Sequence, residues 1–174
     1  MVRFDAAPWA PRMKLATVLA IAVCGAIMAT SWRALPHDPP VVGAALRLLM
    51  VLPPVAVAVA LLFVIRGYDL HPDRLEVRRL LWATPMPLAG LERAWHDPGA
   101  MERSMRLFGN SGLFSISGLF RNRALGNYRA FVTDPRRAVV LRTASRVLVV
   151  SPAEPRAFVD ALASRHPGMA QGKP

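Results

Sequence analysis

Two membrane-spanning helices followed by a small, mainly β domain with a helix at its end is the fold class this sequence predicts, and three observations predict it. The apolar excess of the chain lies almost entirely before Arg66, in two runs separated by a polar link. After Gly67 the composition becomes that of a globular domain, with short β-prone runs divided by turn residues. From Ser151 onward the hydrophobic period changes to that of an amphipathic helix.

The overall balance fits this division. With 53% hydrophobic residues and a mean hydropathy of +0.31, the 174-residue chain is more apolar than a soluble domain of its size needs. Its net charge of +11 is carried by arginine, since Lys14 and Lys173 are the only lysines. Such a surplus calls for an anionic neighbour. For a chain that enters a bilayer, anionic lipid is the nearer partner and nucleic acid the less economical one, each basic group near such a surface adding on the order of 1 kcal/mol.

The first run, 15–32, carries no charge and as a helix crosses most of a ~30 Å hydrocarbon core. Trp9 and Trp32 bracket it at interfacial positions, with Arg12 and Lys14 as its basic flank. A cleaved signal peptide ending near Ala29-Thr30-Ser31 is the rival reading. Retention is preferred, because a second apolar run follows almost at once, over 41–65, and a hairpin explains the pair. Its uninterrupted part begins after Arg47, which is expected to snorkel outward, and Pro53-Pro54 predicts a kink. Basic residues before the first helix (Arg3, Arg12, Lys14) and after the second (Arg66, Arg74, Arg78, Arg79) outnumber Arg33 of the link. The positive-inside rule therefore puts both termini on the cytoplasmic side of a multi-pass inner-membrane protein, and leaves 33–40, with His37 and Asp38, as a short external loop. Small residues recur at four-residue spacing in the first helix (Ala22 and Ala26, Gly25 and Ala29), a surface another helix can approach. Cys24, the single cysteine, reads as a small hydrophobe, and no intramolecular disulfide is possible.

In the domain, 67–166, strands are expected at Tyr68 to Leu70, Leu75 to Leu81, Leu88 to Trp95, Tyr128 to Thr133, Arg137 to Thr143 and Arg146 to Val150, the last three as consecutive hairpins. Turns are marked by His71-Pro72-Asp73, His96-Asp97-Pro98-Gly99, Asp134-Pro135 and Ala144-Ser145. The closing helix has Ser151 as expected N-cap, Pro152 at its first position and Glu154 completing a capping box, with Ala157, Phe158, Ala161 and Leu162 on its inner face and Pro167 beyond its end. Phe158 and Leu162 are expected to plug one end of the sheet, and 167–174 to be a disordered tail.

This order of about seven short strands and one closing helix, behind two membrane helices, resembles the bacterial pleckstrin-homology-like (PH-like) domain family of small membrane proteins. The resemblance spans Tyr68 to Leu162. It rests on Leu107-Phe108-Gly109-Asn110-Ser111-Gly112-Leu113-Phe114, Gly118-Leu119-Phe120, Leu125-Gly126-Asn127-Tyr128, and Val149-Val150-Ser151-Pro152 with Phe158. It implies a small antiparallel β-sandwich or barrel capped by the helix, an α+β domain, and it carries no catalytic residue or cofactor across. The glycines read as sheet geometry, since neither G-x-x-x-x-G-K-[ST] nor G-x-G-x-x-G is present.

Catalytic chemistry finds little support. Serines are present, but His71, His96 and His166 sit in turns or the tail, no G-x-S-x-G elbow occurs, and no His/Cys cluster has ligand spacing. An enzyme is not expected, and neither a metal nor a cofactor. What remains is basic: Arg121 and Arg123 around Asn122, Arg129 close behind, and the doublets Arg78-Arg79 and Arg136-Arg137. Arginine's planar fork suits phosphate oxygens. With Phe114, Leu119 and Phe120 nearby, Arg121, Arg123 and Arg129, joined by Arg78 and Arg79, are the candidate contacts for anionic lipid head groups. The plainer reading of the same arginines is a set of solvated charges that keep sheet edges apart. A non-catalytic, membrane-tethered binding module is thus expected, contacting lipid, a peptide strand or another membrane protein. The alternatives are an accessory subunit of a transport or enzyme complex and, on charge alone, a nucleic-acid binder. The oligomeric state is not written in the sequence.

Overall fold

The computed structural model describes the backbone of residues 1–34, 40–111 and 113–173, and their side chains except those of 31–34, 40–47, 49 and 111. His37, Asp38 and Gly112, and the side chains of Trp32, Arg33 and Arg47, lie outside the described residues.

The chain begins with a strand that the sequence did not announce. β1 (Val2–Asp5) pairs antiparallel with β2 (Gly67–Leu70), the first strand after the helices, in the register Val2 to Leu70 and Asp5 to Gly67. Val2 and Phe4 alternate with Arg3 and Asp5, so one side of this short strand is apolar, and the Phe4 ring meets Phe158 edge-on at 5.0 Å. The link to the first helix is equally well tied. Ala7 N–H donates to the Ser151 carbonyl at 2.8 Å, and Thr133 Oγ1 donates to the Ala7 carbonyl at 2.7 Å.

α1 (Pro11–Ala34) and α2 (Pro40–Leu62) follow and touch one another. Within α1 the span Pro11–Thr30 is long and apolar enough to cross a membrane, and only 11% of it is buried. Met13 and Thr17 supply that burial, while Leu15, Val18, Leu19, Ile21, Val23, Ile27 and Met28 are exposed. The described apolar part of α2, Met50–Leu62, is shorter than a full crossing, runs through Pro53 and Pro54, and exposes Val51, Leu52, Val55, Val59 and Leu61.

The rest is a two-sheet sandwich. β1 and β2 continue into β3 (Arg74–Arg78) and β4 (Ala83–Pro87) as a four-stranded antiparallel sheet. The second sheet contains β5 (Leu91–His96), β6 (Met105–Ser111), β7 (Ile116–Asn122), β8 (Gly126–Val132), β9 (Val139–Thr143), β10 (Val147–Val150) and β11 (Ala170–Gln171), in the order β11-β5-β9-β10-β8-β7-β6. α3 (Pro155–Ala163) packs Phe158, Val159 and Leu162 inward. These side chains share one core with Tyr68, Leu70, Leu75, Val77, Phe131, Leu141, Leu148 and Val150, which fills the space between the sheets. A second apolar cluster, with Trp95, Phe120, Tyr128, Ala130, Val140 and Val149, lines the other face of the larger sheet.

Four expectations need correction. Among the described residues the domain holds nine strands, β2 to β10, and not about seven: Leu75 to Leu81 and Leu88 to Trp95 each fall short, β4 forms between them, and the glycine-punctuated stretch supplies β6 and β7. β9 and β10 form the expected hairpin, but β8 and β9 do not: a 3-10 turn at Pro135–Arg137 carries the chain over to β9 beside β5, and β10 then pairs with β8 in parallel, so the sheet is not wholly antiparallel. Ser151 does not cap the last helix. Its hydroxyl is buried and accepts from Thr133 N–H at 2.8 Å, and the helix starts instead at Pro155 with Glu154 as an N-cap that makes no side-chain bond. The tail is not without structure, since β11 pairs in parallel with β5, and Lys173 Nζ lies 3.0 Å from Asp97.

Candidate functional site

Strand alternation puts Leu141 and Val139 of β9, Leu148 and Val150 of β10, Arg129 and Phe131 of β8, Ser117 and Leu119 of β7, and Phe108 and Asn110 of β6 on one face of the larger sheet. As far as Phe131 this face is core, covered by the smaller sheet and α3. Beyond Phe131 it is open: Leu119 is 39% exposed and Phe108 79%, and Met105, in register with Arg121, is exposed too. An apolar strand face left uncovered marks a binding surface.

Gly109 and Gly118 shape this open half. They face each other across β6 and β7, with φ of +110° and +150°. A Cβ on Gly118 would meet the Gly109 Cα at 2.8 Å, and one on Gly109 would meet the Gly118 Cα at 2.6 Å, so the two strands approach at a point where only glycine fits. A register shift between Arg106 and Phe108 accompanies the bend.

Between this face and the end of α2 lies a cavity of about 490 Å³. Ala56, Val59, Ala60 and Phe63 wall it on the helix side, and Phe108, Leu119 and Phe131 on the sheet side. Its polar groups are Arg79, Arg129, Asn110 and Ser117. Arg79 is 8% exposed. Its Nη1 donates to the Phe63 carbonyl at 2.8 Å and its Nε to Thr84 Oγ1 at 3.1 Å, while the guanidinium carbon lies 5.3 Å from the Phe63 ring centre and 5.5 Å from that of Phe131. Phe63 follows directly on α2, so Arg79 satisfies a carbonyl that the helix end leaves free, where a cation also suits the dipole. Burial, and to a lesser degree the like charge of Arg129, lower the Arg79 pKa from its ordinary value, while Tyr68 acts the other way.

A family model described as Bacterial PH domain matches residues 66–166, more than half of the chain. The chain belongs to that family. Searches of curated proteins and of solved structures return no match.

In this bacterial PH domain protein the five arginines singled out from sequence do not form one site. Arg78 and Arg79 part company, because adjacent strand positions point to opposite faces. Arg78 is held by Asp5 and Asp69, with Nη2 to Asp5 Oδ1 and Nε to Asp69 Oδ1 both at 3.3 Å, and serves to fasten β1. Arg121 and Arg129 lie on the open face, and Arg123 is exposed in the turn after β7. Of the apolar neighbours expected beside them, only Leu119 is on that face. Phe114 and Phe120 are buried, Phe120 against Tyr128 in the opposite core. The aromatic groups that matter, Phe63, Phe108 and Phe131, come from three distant segments, and alternation within β6 and β8 was the only signal that pointed to Phe108 and Phe131. No group of three or more His, Cys, Asp or Glu among the described residues is arranged to hold a metal ion. PH domain families are generally non-catalytic binding modules.

Proposed function

We propose that the protein is a two-pass, membrane-anchored, non-catalytic PH module, and that the open sheet face meets anionic lipid head groups at the cytoplasmic surface. The observation that carries this reading is the pairing of β1 with β2. It joins the segment before α1 and the segment after α2 in one sheet, so a chain that crosses the bilayer in α1 must return in α2. The uncovered apolar side chains of both helices support insertion, since exposure of so many to water is costly at roughly 25 cal/mol per Å². The basic residues that flank the pair support a cytoplasmic domain. Arg121, Arg123 and Arg129, beside Met105, Phe108 and Leu119, offer the phosphate contacts.

Alkaline carbonate extraction of membranes that contain the full-length chain tests this reading. The chain should stay in the pellet at full length. Release into the supernatant, or a product shortened near Ser31, would overturn it. A second reading, an accessory subunit docked on another membrane protein, is favoured by the outer edge of β6, which has no strand beside it among the described residues and can accept one. Crosslinking in native membranes from position 107 separates the two, because lipid contact leaves the chain uncoupled and a docked partner adds its mass.

A further inference from the structure

We propose that the cavity between α2 and the outer sheet is a seat for one acidic phospholipid, its phosphate held by Arg79 and Arg129 and an acyl chain laid along Ala56, Val59 and Ala60. The inference rests on the reading above in one respect, that α2 lies in the bilayer. It goes further by assigning a discrete site in place of a charged surface.

Charge argues first. The acceptors that Arg79 has, the Phe63 carbonyl and the Thr84 hydroxyl, are neutral, and Arg129 lines the same cavity. Among the described residues no carboxylate lies within 4.0 Å of either guanidinium, although Arg3, Arg74 and Arg78 each have at least one. A largely buried cation with a second cation beside it and no counter-ion is costly, and a phosphate supplies the missing charge in the geometry that arginine forks prefer. Asn110 and Ser117, on the same wall, add neutral polar groups for ester or glycerol oxygens.

Shape argues for a lipid over a soluble anion. A volume of about 490 Å³ lies in the range of small-molecule sites, and the lining is mostly apolar. One wall is the last two turns of α2, about 10 Å of helix between Ala56 and Phe63, and the exposed side of that helix continues away from the domain through Val55, Leu52 and Val51. A ligand with its head on the arginines thus finds an unbroken apolar track for its tail. Gly109 and Gly118 keep side chains out of this part of the wall.

Native mass spectrometry of the full-length chain released from detergent tests the site, with phosphatidylglycerol, phosphatidylcholine or glycerol phosphate added. One phosphatidylglycerol should bind before any further adduct, with about tenfold preference over phosphatidylcholine, and Arg129→Gln should cut that first occupancy about tenfold. Ala60→Trp, which fills the cavity, should remove it. Arg121→Gln with Arg123→Gln, at the open surface, should weaken the later adducts, while Arg136→Gln with Arg146→Gln, exposed and outside the cavity, should leave the first affinity within about twofold. Unchanged binding in Arg129→Gln, or a loss confined to the Arg121 and Arg123 variant, would overturn the discrete site while leaving surface contact intact. Saturation by glycerol phosphate alone would overturn the assignment of the tail. Release of the unmodified chain by carbonate would remove both proposals. Should Ala60→Trp fail to fold, Arg129→Gln decides by itself, because the Arg129 side chain is exposed and makes no hydrogen bond among the described residues.

Discussion

One face of the larger sheet has two halves that differ only in what covers them. From β9 to Phe131 it is apolar and dry, sealed by the smaller sheet and by Phe158 and Leu162 of α3. From Leu119 to Phe108 it is still largely apolar yet open, bordered by the end of α2 and dotted with Arg121 and Arg129. The comparison teaches that the open half is a surface awaiting cover and not a fold left unfinished, because β6, β7 and β8 beneath it are paired with one another. On the proposed reading, a bilayer beside α2 supplies such a cover.

The largest expected difference between the halves is in stability. Phe158→Ala removes a fully buried ring from the sealed half and should cost about 3–5 kcal/mol, read as a loss of the thermal midpoint in detergent. High pH strikes the same half. Burial pushes the Tyr68 hydroxyl up to about 12, its proton going to the Phe131 carbonyl at 2.6 Å while it accepts from Ser151 N–H. The unfolded chain ionises near the ordinary tyrosine value of about 10, so the folded state keeps full stability below that pH. It then loses about 3 kcal/mol as pH climbs from 10 to 12. Tyr68→Phe should flatten this part of the stability profile, and an unchanged slope would contradict the account.

Much of the sealed half was legible in the sequence. Short β-prone runs, turn residues at Asp134-Pro135 and Ala144-Ser145, and the apolar stripe of Phe158 and Leu162 all express local periodicity, and these elements formed close to where the sequence put them. β1 was not legible because four residues carry too little pattern, and its place depends on Gly67–Leu70 some sixty residues away. Ser151 misled for a related reason. A capping box describes a helix in isolation, whereas here Thr133 and Tyr68 claim the hydroxyl. The open half was legible only as arginines. Its partners, Phe63, Phe108 and Phe131, meet through the order of strands, and no local signal gives that order. The split of Arg78 from Arg79 was readable, since the alternation of Leu75 and Val77 already sets which arginine turns inward.

A smaller effect separates two glycines of β7 and β8. Gly118→Ala forces a Cβ against the β6 backbone at a φ that side chains avoid, and should cost about 2 kcal/mol. Gly126→Ala, at φ +70° but with open space around it, should cost less, about 1 kcal/mol, by the same denaturation measurement. Least of all, Phe108→Ala should change stability by no more than about 0.5 kcal/mol, because its ring is already exposed in the fold.

That side chain also gives the most direct test of the whole account. With Cys24 replaced by alanine, a nitroxide attached at Phe108→Cys in the reconstituted full-length chain reports its depth by accessibility to oxygen and to a water-soluble nickel complex. The account expects position 108 to be shielded from nickel and open to oxygen, at the level of the lipid interface. Nickel accessibility equal to that of a label at Ala144, on the turn between β9 and β10, would contradict it.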